Sequence, residues 1–340
     1  METKKLKQMN IGIDSYGLFI PQTYESAEEI ASRIGITTKE IKNLGIQRKY
    51  IPGEDDHPVI MAVKAAEKAF KKSYHIEPEN VDVVIWTGEE YKDYIAQTAS
   101  IRLQEEVGCR NAYAFDLVAQ GVTMIQGLRL AKDIITGDET VHTILLAGGT
   151  RNIDLVDEHN PHTRFMLPFS ASGSAVLLRR DPNANRLTST AFRVDPEMAD
   201  DILVPGGGTE SPFSPQHLDS ELMFYHSSYP DKVEAYLNQR WPQALVEIAQ
   251  RVCVDGKPDY LALRHLPPSG RDRVLKNLGL RSRQSEPLFW YGHHGTNDII
   301  ISIDLALKRG VLKNGDKVAM VTGGIGFTYA AALVEWGPLR

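Results

Sequence analysis

The chain has 340 residues, 42% of them hydrophobic and 24% charged, with a net charge of -6. That balance suits two domains or one doubled domain, and it argues against a dedicated nucleic-acid surface, which would be basic. The N-terminal METKKLKQMN has no apolar stretch, no apolar run is long enough to cross a bilayer, and two free thiols, Cys109 and Cys253, suit a reducing compartment. The expectation is a cytoplasmic protein without membrane contact.

In chain order, Ser26 with Glu29 and Thr37 with Glu40 have the spacing of capping boxes and mark two helix starts. Pro58 stands at a first helical position, ahead of the amphipathic run Val59 to Lys72. Val81 to Trp86 reads as a buried strand, followed by the acidic loop Thr87 to Asp93. A helical stretch through Leu130-Ala131-Lys132 then leads through Gly137-Asp138 to a strand at His142 to Leu146, the pair Gly148-Gly149 and a closing strand at Ser174 to Leu178.

The same pieces recur in the same order. Tyr260 to Leu263 parallels Val81 to Trp86, and Leu305 to Lys308 leads through Gly315-Asp316 to a strand at Lys317 to Val321, then Gly323-Gly324 and a closing strand at Ala330 to Val334. The order predicts a duplicated α/β unit. Its boundary falls in the turn-forming stretch Asp181 to Arg186, giving halves 1–182 and 183–340. Adjacent His293 and His294, and His159 with His162, lack a third partner at metal-ligand spacing, so no metal site is expected. Gly323-x-x-Gly326 precedes a strand rather than a helix and is not a dinucleotide fingerprint.

Several segments carry a family resemblance. Gly45 to Ile51, Cys109 to Asp116, Val204 to Gly208 and Gly315 to Thr328 together resemble, in order, the β-ketoacyl-acyl-carrier-protein synthase III family. The resemblance implies the thiolase fold, a duplicated α/β/α/β/α arrangement of five layers, and a homodimer paired through the sheet edge beside the nucleophile turn. It also implies acyltransferase chemistry on coenzyme A or acyl-carrier-protein thioesters, as in fatty acid or polyketide biosynthesis, with no bound cofactor.

In that family a cysteine attacks the acyl thioester while a histidine and an asparagine stabilise the enolate of the second substrate. By resemblance His265 takes the histidine position and Asn297 the asparagine position. The cysteine is missing: counting on from Asp116 puts Gly121 there, or Gln120 if the turn is one residue shorter. Covalent transfer through that position is then excluded. Glu89 resembles the glutamate of 3-hydroxy-3-methylglutaryl-CoA synthase and is a candidate acid or base. Arg164 matches an arginine near the cofactor mouth, and Arg48 lies in the early Gly-Ile-Arg-like segment, so both are assigned to cofactor binding. Lys39 or Glu40 stands where the family has a tryptophan against the adenine, which leaves a carrier protein or a free small molecule as alternative donors. The expectation is an enzyme of acyl or β-ketoacyl thioesters without a covalent intermediate. The alternatives are a C–C bond-cleaving hydrolase of a β-dicarbonyl compound, a condensing enzyme whose nucleophile lies elsewhere, and a non-catalytic partner of an active ketosynthase.

Overall fold

Side-chain caps fix the first helices. In the computed structural model, which describes residues 10–182, 184–215 and 221–338, Ser26 Oγ accepts the Glu29 N–H at 3.2 Å and the Glu29 carboxylate accepts the Ser26 N–H at 2.7 Å. This opens α1 (Ala27–Ile34), and Thr37 with Glu40 does the same for α2 (Thr38–Asn43). Pro58 begins α3 (Pro58–Lys72), where its missing N–H costs nothing. A short hairpin of β2 (Tyr24–Ser26) and β3 (Arg48–Tyr50) lies beside them.

The first half of the main sheet contains β1 (Ile11–Phe19), β4 (Val83–Trp86), β5 (Tyr113–Asp116), β6 (Thr143–Thr150) and β7 (Ser172–Arg180). The second contains β8 (Ala184–Val194), β9 (Tyr260–Leu263), β10 (Lys317–Gly324) and β11 (Thr328–Pro338). The order is β5-β4-β6-β7-β1-β8-β11-β10-β9. In each half a closing strand, β7 or β11, runs antiparallel between an opening strand, β1 or β8, and a central strand, β6 or β10. A parallel neighbour, β4 or β9, follows beyond the central strand. The halves join where Gly12 of β1 pairs with Arg186 of β8. Asn183, at the expected boundary, lies outside the described residues.

The expected five layers are present. α3 and α4 (Ala99–Val107) pack on the outer face of the first half. α6 (Pro230–Val252) and α7 (Pro268–Asn277) pack on the outer face of the second. Between the halves lie α5 (Thr123–Gly137) and α8 (Asp298–Lys308), whose Leu128 and Ile303 share one core with Leu146 of β6 and Met320 of β10. Strand alternation sorts these faces: Tyr260 and Ala262 of β9 point to the central layer, Leu261 and Leu263 to the outer one.

α3 lies directly on the sheet because three strands, β1, β6 and β7, meet it with glycine. A Cβ on Gly173 would sit 2.1 Å from Met61 O, and one on Gly149 would sit 2.0 Å from Pro58 O. Backbone on both sides leaves no room to yield. Gly173→Ala should therefore lose about 1–3 kcal/mol of stability, read as a lower urea midpoint with an unchanged denaturant slope.

Candidate active site

The two central helices begin at one point. Each is preceded by a single 3-10 turn, Gln120–Val122 before α5 and Gly295–Asn297 before α8. The first residue of each turn adopts a left-handed backbone, with φ 52° at Gln120 and 54° at Gly295. For a glutamine that conformation stores strain, of the order of 1–3 kcal/mol. The turns touch: Met124 N–H donates to Thr296 Oγ1 at 2.7 Å, and Thr322 Oγ1 donates to Gly121 O at 2.9 Å.

A cavity of about 420 Å³ opens where they meet. Its floor includes buried Glu89, Gly121, His265, His293, Gly295 and Gly323. Its rim carries exposed His162, Asp231, Glu234 and Arg273, with Arg164 partly buried. Trp241, Phe165 and Phe327 form much of the apolar wall.

Glu89 enters from the loop after β4. Its Oε1 accepts the Thr296 N–H at 3.1 Å at the second helix start. Burial pushes its carboxyl up to about 7, against the lowering effects of that hydrogen bond and of Arg264. A carboxyl that titrates there can hold or release a proton at neutral pH.

The cationic donor is Arg264. Its backbone N–H extends the ladder beyond β9, donating to Val321 O at 3.0 Å. Alternation then turns its side chain to the same face as Tyr260 and Ala262, toward the helix starts. Nη1 donates to Gly323 O at 2.6 Å, Nη2 meets His293 Nε2 at 2.7 Å, and the guanidinium lies 4.8 Å from the Trp241 ring centre. Nε has no partner. Arginine has no acceptor, so His293 Nε2 must accept, and Nδ1–H therefore donates to Asp298 Oδ2 at 2.6 Å. Burial, aided by the Arg264 charge, lowers the His293 pKa and keeps the ring neutral.

Asp298 is fully buried and also accepts the backbone N–H groups of His265 at 2.8 Å and His294 at 2.7 Å. Burial alone would raise its carboxyl, but the hydrogen-bonded His293 ring, with the His294 and His265 rings beside it, outweighs this and holds it well below the usual carboxylate range.

The residues assigned from sequence divide. Glu89, Gln120, Gly121, Arg164 and His265 line the cavity. A Cβ on Gly121 would lie 2.5 Å from Gly323 O, so no side chain fits there, and Gln120 is the one that presents a functional group.

Two assignments fail on geometry. Asn297 is the last residue of its turn and its amide points away into β7, donating to Ser172 Oγ at 3.0 Å and accepting from Ser174 Oγ at 2.6 Å. It does not line the cavity. Arg48 is absent from the lining too: its guanidinium packs 4.7 Å from the Tyr24 ring and Nε donates to Trp290 O at 2.9 Å. His265 is present, but its Nε2 is engaged with Gly45 O at 3.0 Å, and burial with the nearby His293 lowers its pKa to about 4. Neither cysteine lines the cavity; burial raises Cys109 to about 12 and Cys253 to about 11, far from ready thiolates.

Sequence reading missed Arg264, His293 and Asp298. The signal for the first was available, since alternation from Tyr260 selects Arg264 over His265 for the central face.

A doubled five-layer arrangement whose two central helix starts meet at one cavity is the thiolase fold. Residues 258–336 match the family described as 3-oxoacyl-[acyl-carrier-protein (ACP)] synthase III C terminal, and residues 115–196 match 3-oxoacyl-[acyl-carrier-protein (ACP)] synthase III. Among curated relatives, the β-ketoacyl-[acyl-carrier-protein] synthase III of Chlamydia caviae is 23% identical over 98% of this chain and 99% of its own. That of Clostridium perfringens is 25% identical over 96% and 99%. Among solved structures, synthase III (FabH) of Pseudomonas aeruginosa superposes with a TM-score of 0.84 at 18% identity, covering 97% of this chain and 99% of that one. OleA of Xanthomonas campestris, solved with lauric acid and lauroyl-CoA, superposes with a TM-score of 0.77 at 18% identity, covering 96% and 99%. Along nearly its whole length the chain is thus similar to synthase III proteins, and two of its segments match the synthase III family models.

Glu89 gives a pH test. Its folded pKa of about 7 lies above its ordinary 4.5, so between those values the folded chain keeps a proton that the unfolded chain releases. Stability contributed by Glu89 therefore falls as pH rises through that window. Glu89→Gln, which cannot ionise, should gain on the parent protein across the window and level off above it, ahead by about 1–3 kcal/mol. Urea denaturation of both proteins at several pH values measures the gap; a gap that is flat or shrinks with rising pH would contradict the assignment.

Proposed function

We propose that this chain is an enzyme of acyl or β-ketoacyl thioesters that stabilises an oxyanion or enolate without a covalent enzyme intermediate. Arg264 takes the role expected of the histidine and asparagine pair. Its unpaired N–H groups meet the thioester carbonyl oxygen as negative charge develops there, and a preoriented cation in an apolar cavity is worth far more than one in water. His293 and Asp298 hold the guanidinium in place. Glu89 moves the proton to or from the substrate carbon, or activates water if the carbon–carbon bond is cleaved. Gln120, at the strained start of α5, occupies the vacated nucleophile place and offers an amide to the acyl group. The single observation behind this reading is the pairing of a clamped guanidinium with a buried carboxyl in one cavity that neither thiol lines.

The donor we infer is a coenzyme A or carrier-protein thioester, with Arg164 and Arg273 at the rim placed to meet phosphate. We also infer a homodimer in solution, joined through the free edge of β5, where Tyr113 is 53% exposed. Light scattering should give twice the chain mass, and Tyr113→Asp should shift it toward the monomer.

The reaction is tested by incubating the protein with malonyl, acetoacetyl and longer acyl thioesters and weighing products and protein. Arg264→Gln and Glu89→Gln should each slow turnover by about a hundredfold or more, and the protein mass should stay unmodified throughout. Full activity in both variants, or an acyl adduct on Cys109 or Cys253, would overturn the proposal. Failure to turn over any thioester, with stimulation of an active synthase instead, would favour the partner-subunit reading.

A further inference from the structure

The chemistry above uses Arg264 and Glu89 and leaves another polar part of the cavity wall unassigned. Tyr225 and Asn152 line it and are 5% and 3% exposed. Asn152 Nδ2–H donates to the Tyr225 hydroxyl oxygen at 2.8 Å. The hydroxyl is the acceptor in that bond, so its own proton remains to be given elsewhere. Among the described residues no protein group takes it. Asn152 Oδ1 is likewise buried without a partner. Buried polar groups left unpaired are costly, and a ligand that pairs them recovers that cost.

The tyrosine is held stiffly. Its ring stacks on Phe169 with centres 5.8 Å apart, and Phe169 packs 4.7 Å from the His293 ring, so one aromatic column connects Tyr225 to the Arg264 clamp. Its backbone N–H donates to Leu155 O at 2.8 Å. Burial, with the charge of neighbouring Glu89 added, raises the phenol pKa and keeps the hydroxyl a donor. The cavity therefore offers two places for a substrate oxygen, one at Arg264 and one at Tyr225 beside Glu89.

We propose that Tyr225, oriented by Asn152, binds a second carbonyl oxygen, so that the cavity selects β-ketoacyl thioesters over simple acyl thioesters. The inference rests on the thioester reading above and narrows its substrate class. A β-ketoacyl thioester carries two carbonyl oxygens in 1,3 relation: the thioester oxygen faces Arg264 and the keto oxygen faces Tyr225. A simple acyl thioester leaves the tyrosine unpaired, and a site built to hydrogen-bond an absent group discriminates against the molecule lacking it.

The test is calorimetric titration of the full chain with acetoacetyl-CoA and with butyryl-CoA, which match in chain length and differ in the keto oxygen. The parent protein should prefer acetoacetyl-CoA by about tenfold or more. Tyr225→Phe keeps the ring stack and should weaken acetoacetyl-CoA by about tenfold while leaving butyryl-CoA within about twofold. Asn152→Ala should erode the same preference through the hydroxyl it orients, and thermal melts establish that both variants fold. A merely structural tyrosine would weaken both ligands alike. Equal affinity for the two thioesters, or a preference that survives in Tyr225→Phe, overturns the inference and leaves the thioester reading standing. Binding of neither acyl group, whether presented on coenzyme A or on an acyl-carrier protein, overturns both.

Discussion

A carboxylate at the first turn of α8 organises the candidate site. Asp298 is out of contact with solvent and would be expelled or neutralised there without compensation. It is compensated three ways, by two backbone N–H groups and by the His293 ring. Its place at a helix start adds the favourable end of the peptide dipoles. The arrangement then propagates outward: the carboxylate sets the imidazole tautomer, the tautomer exposes an acceptor at Nε2, and that acceptor sets the plane of the guanidinium. The cation thus faces the cavity with its bulk charge intact and its orientation already fixed. Buried charges linked through a relay of this kind are a poor source of stability, and their value lies in specifying one geometry.

The protonation pattern follows from the same chain. Neutral His293 lies between cationic Arg264 and anionic Asp298, so the three balance without a mobile charge. Glu89 stands apart from that balance, buried and bonded to one backbone N–H. It is a buried cavity group raised toward neutral pH, because burial rather than a charged neighbour dominates its shift. On the proposed reading, negative charge developing on substrate moves toward a fixed cation while the proton moves through a separate group.

Much of the fold was legible in the chain itself. Both capping boxes and the proline start of α3 formed as their spacing required, since such signals are local and complete within four residues. The repeat was legible too, because each half must satisfy the same strand and helix packing. Glu89, His265 and the Gln120–Gly121 turn, assigned from sequence, all line the cavity, and each lies next to an element end that sequence marks well. Asn297 was misjudged for a physical reason. A helix start can be located by counting, but the direction of a side chain on the turn before it depends on which of three residues takes the left-handed conformation. Here that is Gly295, and two residues later the amide already faces β7. Arg264 lies far along the chain from the neighbouring pair His293 and Asp298, and no local pattern announces a hydrogen-bond relay between two such segments.

The left-handed glycine carries one more implication. A Cβ at Gly295 would fall 2.3 Å from Glu89 Oε1, so the bare backbone of the second half is the seat for a carboxyl delivered by the first. The pseudo-equivalent turn keeps its own side chain at Gln120. Once duplicated, the two copies could not drift independently: enlarging residue 295 evicts the acid, and shortening residue 89 leaves a hole above an unfilled N–H. Divergence at these two positions is expected to be correlated across relatives that share this arrangement, a signature of mutual steric dependence across the pseudo-twofold axis.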